Sequence, residues 1–575
     1  MRIVNRSYDL EKANFSATTA PLLQRIFHAR GLSCDSDLNL QLSKLPSPNL
    51  MRGLDAAVEH LVDVLQAKQK IVIVGDFDAD GATSAALMVL ALTAMGYESV
   101  EFLVPNRFDY GYGLTPEIVE LAQQKHPDLI ITVDNGISSI EGVDYANQQG
   151  IKVIITDHHL PGTSLPDAAA IVNPNQPGCE FPCKNLAGVA VAFYLLSALR
   201  AKLRELCWFE NEAIKEPNMG HYLDLVALGT VADVVPLDQV NRTLVHQGLL
   251  RIRAGYARPG INALLKIAGK NPAQLVASDM GFAVAPRLNA AGRLDDISYG
   301  IQCLLTDDPK EALDRAQELE QFNQDRKAIE RDMQIEALKI VEGLALDDQA
   351  ELPAALCLYQ ADWHQGVVGL LASRIKEKFH RPVAVFARDD SGTLKGSVRS
   401  IPGLHIRDAL DAVATQNPGL ISKFGGHAMA AGLSLEESKL EAFKKALEQH
   451  VASTIDPLDL EATLQTDGQL ETDQFTMHIA SVLRDSGPWG QAFPEPCFQG
   501  EFELRSQRIV GENHLKVSLA HDALSRQLID GIYFNIDIDQ WPTTATRVRC
   551  VYRLDINEFR GHQSLQLLIQ YMEPI

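Results

Sequence analysis

The sequence predicts an α/β protein that ends in an all-β part: a parallel sheet flanked by helices, a long connecting helix, a second smaller α/β region and a C-terminal barrel. Three observations carry this. From residue 71, short apolar runs alternate with helical stretches, the pattern of a parallel sheet covered on both faces. Asp308-Pro309 then opens a charged stretch reaching about residue 342, with Asp as N-cap and Pro at the first helical position. After about Ser453 short alternating runs replace helices, as in a small barrel.

In order, strands are expected at 71–75, 100–104, 129–133 and 151–156, apolar on both faces as buried parallel strands are. Helices are expected between them at 83–95, 115–124 and 138–149, and afterwards at 187–200 and 221–228. The charged helix would extend about 50 Å if continuous, the length of an interdomain strut. A second α/β pattern follows: strand 354–358, helix 366–379, strands 382–386 and 394–398, a Gly-rich run at 425–432 and helix 435–450. Five strands close the chain, at 498–504, 515–519, 527–534, 546–554 and 564–571.

Composition bounds the function. A chain of 575 residues, 46 % hydrophobic and 22 % charged, is ordinary globular protein of three or four domains, which excludes disorder and fibre. The longest apolar stretch, residues 85–96, is too short to span a bilayer, and the N-terminus turns polar by Asn5 and Arg6, so a cytoplasmic protein without a membrane partner is expected. Of eight cysteines only Cys179 and Cys183 lie close together, which suits reduced thiols rather than a zinc knuckle. The charge of −22 argues at first sight against nucleic acid.

The chemistry concentrates at strand ends. Gly75-Asp76-Phe77-Asp78-Ala79-Asp80-Gly81 follows the first strand and precedes a helix. Three carboxylates at that spacing repel unless a cation holds them. A calcium loop fails, because the twelfth position from Asp76 is Leu87. The strand at 129–133 ends in Asp134-Asn135-Gly136 and that at 151–156 in Asp157-His158-His159. Residues beyond the carboxyl ends of adjacent parallel strands converge on one crevice, so these groups are expected to meet. Asp233, after an apolar run, is a further carboxylate that needs a partner. Carboxylates with imidazoles and no thiolate favour Mn²⁺ or Mg²⁺ over zinc.

These four stretches resemble the successive motifs of the DHH phosphoesterases. Further matches resemble the branch of that family that degrades single-stranded DNA, in its proteobacterial form: 285–294 (Ala-Pro-Arg-Leu-Asn-Ala-Ala-Gly-Arg-Leu), 363–369 (Trp-His-Gln-Gly-Val-Val-Gly), Gly396-Ser397-Val398-Arg399 and 425–432 (Gly-Gly-His-Ala-Met-Ala-Ala-Gly). The resemblance implies an N-terminal extension (1–49), a DHH catalytic domain (50–306), a connecting helix (307–345), a DHHA1-like substrate-binding domain (346–452) and an oligonucleotide-binding barrel (453–575). It implies a two-metal centre with Asp80, Asp134, His158 and Asp233 on one ion, Asp78 and His159 on the second, and Asp76 and Asp157 orienting ligands from behind. Smaller relatives begin the first motif with His where this chain has Val74.

For substrate, the resemblance implies contacts from Arg107, Arg287, Asn289, Arg293, Ser397, Arg399, Gly426 and His427; guanidinium matches phosphate bidentately, and glycine lets a backbone approach it. The implied activity is 5′→3′ degradation of single-stranded DNA to 5′-mononucleotides in repair and recombination, the strand threading between the two α/β domains. A monomer working with single-strand-binding protein and a recombination helicase is expected. The alternatives are a phosphoesterase acting on short oligoribonucleotides or nucleotides, which would lack the barrel, and an inactive replication-fork scaffold, which would have lost its ligands. The barrel carries nine Lys+Arg against eighteen Asp+Glu, so it is no broad basic platform; stacking on Tyr533, Phe534, Tyr552 or Phe559, helped by Lys516, Arg553 and Arg560, is the expected alternative.

Overall fold

A computed structural model of the chain describes all residues except 107–109, 349–351, 390, 512, 522–526, 537–540, 542–543 and 560, and gives the backbone alone at 344–348 and 559. The chain divides into two compact units. One comprises Asn5–Glu320 and Gln465–Ile575, the other Met1–Val4 and Gln321–Leu464.

In the first unit a five-stranded parallel sheet runs in the order Val100–Leu103, Ile71–Gly75, Leu129–Val133, Lys152–Thr156, Ala170–Val172. The strand order reverses between Ile71–Gly75 and Leu129–Val133, so the crevice beyond their carboxyl ends opens there. Both strands are buried throughout, as their unbroken apolar runs require. Helix Ala79–Ala94 starts four residues before the sequence pattern suggests, because the Asp78 carboxylate accepts the N–H groups of Asp80 (2.9 Å) and Gly81 (3.1 Å) and so caps it. The strand Ala170–Val172 was not expected; three residues carry no readable period.

The C-terminal part of this unit is a closed five-stranded barrel of Phe498–Val510, His514–Ala520, Ile529–Tyr533, Arg547–Phe559 and His562–Pro574, antiparallel except for the pairing of Ile529–Tyr533 with His562–Pro574. All five expected strands are present, several of them longer. Tyr552 lies in the barrel core beside Phe498 and Phe502 and presents no face for stacking, whereas Phe534 is exposed. Lys516 and Arg553 are paired with Asp530 and Glu495. The Phe559 side chain and Arg560 fall outside the described residues. The barrel core also takes Leu22 and Ile26 from helix Pro21–His28, and Arg30 forms a buried ion pair with Asp467 at 2.7 Å, so the N-terminal segment packs into the barrel.

The second unit holds a mixed sheet in the order Lys423–Gly426, Ala430–Glu436, Thr393–Arg399, Val383–Arg388, Leu356–Tyr359. The Gly-rich run forms a β-hairpin: Gly425 pairs with Gly432 and Gly426 with Ala431, leaving His427 at the exposed tip. The helix expected from 435 begins at Leu440, since Leu435 points into the core as the penultimate strand residue. Helix Ile406–Gln416 escaped the sequence reading, although its Ile406, Leu410 and Val413 lie on one buried face. The charged stretch is one helix, Pro309–Asp348, with the Asp308 carboxylate accepting the Lys310 N–H at 2.8 Å; the division between the units falls within it. Its part within the second unit is fixed by polar pairs: the buried Arg326 with Glu330 and Asn323, then Glu330 with Arg374, and Glu336 with the Trp363 indole. Among the described residues no helix is long and apolar enough to cross a membrane.

Candidate metal centre

The strand-end groups do meet. Asp134, His158 and His159, then Asp80, His158 and Asp233, and then Asp76, Asp78 and Asp134, form three overlapping clusters whose ligand atoms lie within 4.8 Å of one another. His158 Nε2 is 3.1 Å from Asp134 Oδ1 and 3.5 Å from Asp233 Oδ2. Neither of those buried carboxylate oxygens accepts a hydrogen bond. Buried, unsatisfied carboxylate oxygens beside an imidazole are costly unless a cation takes their lone pairs, so the donor set fits a divalent metal. Asp76, expected to orient ligands from behind, stands within ligand spacing of Asp78 and Asp134.

Local structure explains each position. Asp134 is held at φ 62°, a left-handed conformation Asp adopts more readily than most residues, with its N–H donating to Thr156 O at 3.0 Å. Asp80 is fully buried and accepts the N–H groups of Gly188 (2.6 Å) and Val189 (3.0 Å), the first turn of helix Gly188–Glu205, where the helix dipole favours a carboxylate. Asp157 works from behind, accepting the Ile137, His158 and His159 N–H groups and bonding His159 Nδ1 at 2.7 Å. Asn175 and Asn173 donate to the carbonyls of His158 (2.6 Å) and His159 (3.0 Å) and so fix the imidazole loop. Tyr112 Oη lies 3.1 Å from His159.

Electrostatics agree. Burial, then the Asp78 charge, pushes the Asp80 carboxyl up to about 7. Burial and the neighbouring carboxylates raise Asp134 and Asp233 well above the usual range. Burial opposes a charge on His159, but the hydrogen bond and charge of Asp157 outweigh it and raise that pKa. The folded chain without metal therefore holds protons that the unfolded chain has released, and its stability falls as pH rises from about 4 through 7. A bound cation removes that loss. The rise in Tm on adding Mn²⁺ is thus expected to be larger at pH 8 than at pH 5.5; equal rises at both pH values would exclude the carboxylates as ligands.

The substrate candidates divide. Asn289 accepts the Ala79 N–H at 2.7 Å and so braces the Asp-rich loop, and the Arg287 guanidinium is buried, bonded to Ala283 O and paired with Glu320 at 2.6 Å. Both side chains thus make contacts within the protein. Arg293 is half-buried on the same helix, Ala285–Leu294. In the second unit Arg399 donates to Ser397 Oγ at 2.8 Å, and a Cβ at Gly369 would stand 2.9 Å from Arg399 and 3.0 Å from Ser397. The first turn of helix Val368–Phe379 therefore closes on this pair. Gly426 and His427 form the hairpin end, with His427 N–H donating to Ala430 O at 2.8 Å. Arg107 lies outside the described residues. The sequence reading missed the Gly188 and Val189 amides, Tyr112, Asn173 and Asn175; only Asn173-Pro174-Asn175, a turn signature just past a strand, carried a local signal.

A doubly wound sheet with carboxylates and imidazoles at its switch point, followed by a second α/β region and a closed barrel, defines a DHH-type architecture. The sequence model of the DHH family N-terminal domain matches residues 70–230, that of the DHHA1 domain 353–453 and that of the RecJ OB domain 466–571. The single-stranded-DNA-specific exonucleases RecJ of Salmonella typhimurium and Escherichia coli are 54 % and 53 % identical to the chain, each over 98 % of both sequences. The crystal structure of RecJ in complex with Mn²⁺ from Thermus thermophilus superposes with a TM-score of 0.79 at 29 % identity, covering all of this chain and 79 % of that one. The chain belongs to the RecJ family.

Proposed function

We infer that the chain is a metal-dependent exonuclease that degrades single-stranded DNA from a 5′ end to 5′-mononucleotides. The observation that carries this is the set of overlapping carboxylate–imidazole clusters at the switch point of the sheet, in a chain whose RecJ relatives are named single-stranded-DNA-specific exonucleases. Asp78, Asp80, Asp134, His158, His159 and Asp233, with Asp76 beside them, would hold two Mn²⁺ or Mg²⁺ ions; RecJ of Thermus thermophilus is described with each metal. Such ions polarise a scissile phosphate and lower the pKa of an attacking water. The protein's part is rigidity: Asp157 holds the backbone of both histidines and the His159 ring, the helix at Gly188 orients Asp80, and Asn289 fixes the loop that carries Asp76, Asp78 and Asp80.

Ser397 and Arg399, beside the first turn of helix Val368–Phe379, make a phosphate niche of guanidinium, hydroxyl and helix dipole, which supports a role in reading the 5′-phosphate. The family matches support the division into DHH (50–306), connecting (307–345), DHHA1-like (346–452) and barrel (453–575) segments. The test is the purified chain with Mn²⁺ on end-labelled single-stranded DNA, duplex DNA and a dinucleotide. Single strands should be consumed from the 5′ end and duplex left intact; a preference for the dinucleotide would favour the oligonucleotide phosphoesterase. Arg399→Ala should cut the preference for 5′-phosphate over 5′-hydroxyl ends by roughly ten- to a hundred-fold, the worth of a charge-assisted hydrogen bond. An unchanged preference would remove the niche from end recognition.

A further inference from the structure

Helix Leu223–Ala232 leads into Asp233 of the metal cluster, and the next residue, Val234, stands at φ 60° and 62 % exposed. A β-branched residue in the left-handed region is strained and persists only where its surroundings fix it, often beside a functional site. Val234 opens onto a cavity of about 350 Å³ within the first unit, walled on one side by that helix and on another by the π-helical turn Met280–Val284. Such turns are rare and frequent at functional sites. Its Phe282 lines the cavity yet is 87 % exposed, an unusual state for a phenyl ring.

The cavity also carries a slight positive excess in a chain of net charge −22, three arginines lining it against the carboxylates of Asp485 and Glu495. Arg253, Arg484 and Arg553 all line it. Arg484 is paired with Asp485, and Arg553 with Glu495. Arg253 donates its Nε–H to Leu275 O at 2.8 Å and has no ion-pair partner among the described residues. An exposed aromatic ring and an unpaired guanidinium on one cavity match the two halves of a nucleotide: a base to stack and a phosphate to neutralise. A peptide with an acidic end would satisfy the same groups, but the cavity is tied to the metal centre. Met280–Val284 runs directly into helix Ala285–Leu294, whose Asn289 braces Ala79 and whose Gly292 lies where a Cβ would be 2.0 Å from Phe77 O.

We propose that this cavity is a nucleotide subsite for the single strand, in which Phe282 stacks on a base and Arg253 meets a backbone phosphate. The subsite rests on the exonuclease reading and adds to it a residue pair that grips the strand beyond the bond being cut. The test measures kcat and KM of the full chain with Mn²⁺ on a 5′-phosphorylated dinucleotide and a 20-mer, for Phe282→Ala, Phe282→Tyr and Arg253→Gln. Phe282 is exposed, so its replacement leaves the fold intact. Phe282→Ala should raise KM for the 20-mer roughly ten-fold more than for the dinucleotide, Phe282→Tyr should restore most of the loss, and Arg253→Gln should reduce the salt dependence of binding. In the wild type, 5-iododeoxyuridine at one fixed position of the strand should cross-link to Phe282. A wild type that does not degrade single strands would sink the exonuclease reading. An active wild type with variants whose length dependence is unaltered, as for a cavity that docks a peptide, would overturn the subsite alone.

Discussion

Asp134→Asn should lower Mn²⁺-stimulated hydrolysis of single-stranded DNA by on the order of 10³-fold or more while leaving the fold at least as stable without metal. The carboxylate belongs to two of the three ligand clusters, so its loss disturbs both, and charge stabilisation of that kind accounts for losses of this size. Stability should not suffer, because burial and its neighbours already hold the Asp134 carboxyl well above its ordinary pKa. Neutralising it removes repulsion. Asn is the cleaner replacement, since it tolerates φ 62° where Ala would add strain. Retained activity, or a Tm still raised by Mn²⁺ as in the wild type, would exclude Asp134 from the centre. Asp80→Ala is the harsher variant, because it also strands the Gly188 and Val189 N–H groups in the interior.

Gly188→Ala should cost on the order of 10²-fold in kcat/KM with no ligand changed. A Cβ there would stand 2.7 Å from Asp134 Cβ and 2.8 Å from its Oδ1, and Asp134 has little room to retreat because its N–H is tied to Thr156. The helix start must move instead. That loosens the two N–H bonds to Asp80 and displaces a ligand, and misplacement by about 1 Å is enough for such a loss. Overpacking of this kind also destabilises by about 1–3 kcal/mol. A Mn²⁺ titration should show the activity midpoint moving to higher metal concentration. Wild-type kinetics and an unshifted midpoint would mean that the helix start does not position Asp80.

Much of the centre was legible because a parallel sheet converts sequence position into place. Each strand is an apolar run of about five residues, and the residue after each run lands at the same edge, so Asp76, Asp134 and Asp157 could be brought together from their offsets alone. The charged helix and the five barrel strands were legible for a related reason, since their periods and caps are local. Asp233 was harder, because a helix end carries no such edge rule; its place depends on how helix Leu223–Ala232 packs against helices Ala79–Ala94 and Gly188–Glu205.

What stayed hidden depends on contacts between distant segments. Asn289 lies 210 residues from Ala79, and Gly188 lies 108 from Asp80. Nothing near either residue signals the partner. Guanidinium chemistry is the same in a salt bridge and on a phosphate, so only the structure could show that Arg287 pairs with Glu320. The Gly-rich run at 425–432 carried no strand signal because glycine is scarce in strands, yet pairing with Thr393–Arg399 supplies the ladder its side chains cannot. The sequence by itself determined which carboxylates and imidazoles gather at one sheet edge and the kind of sheet that gathers them, since both follow from local residue type and period. Tertiary structure alone decided which polar side chains brace the centre and which remain open to substrate, because a hydrogen-bonding group is committed only when packing brings its partner within reach.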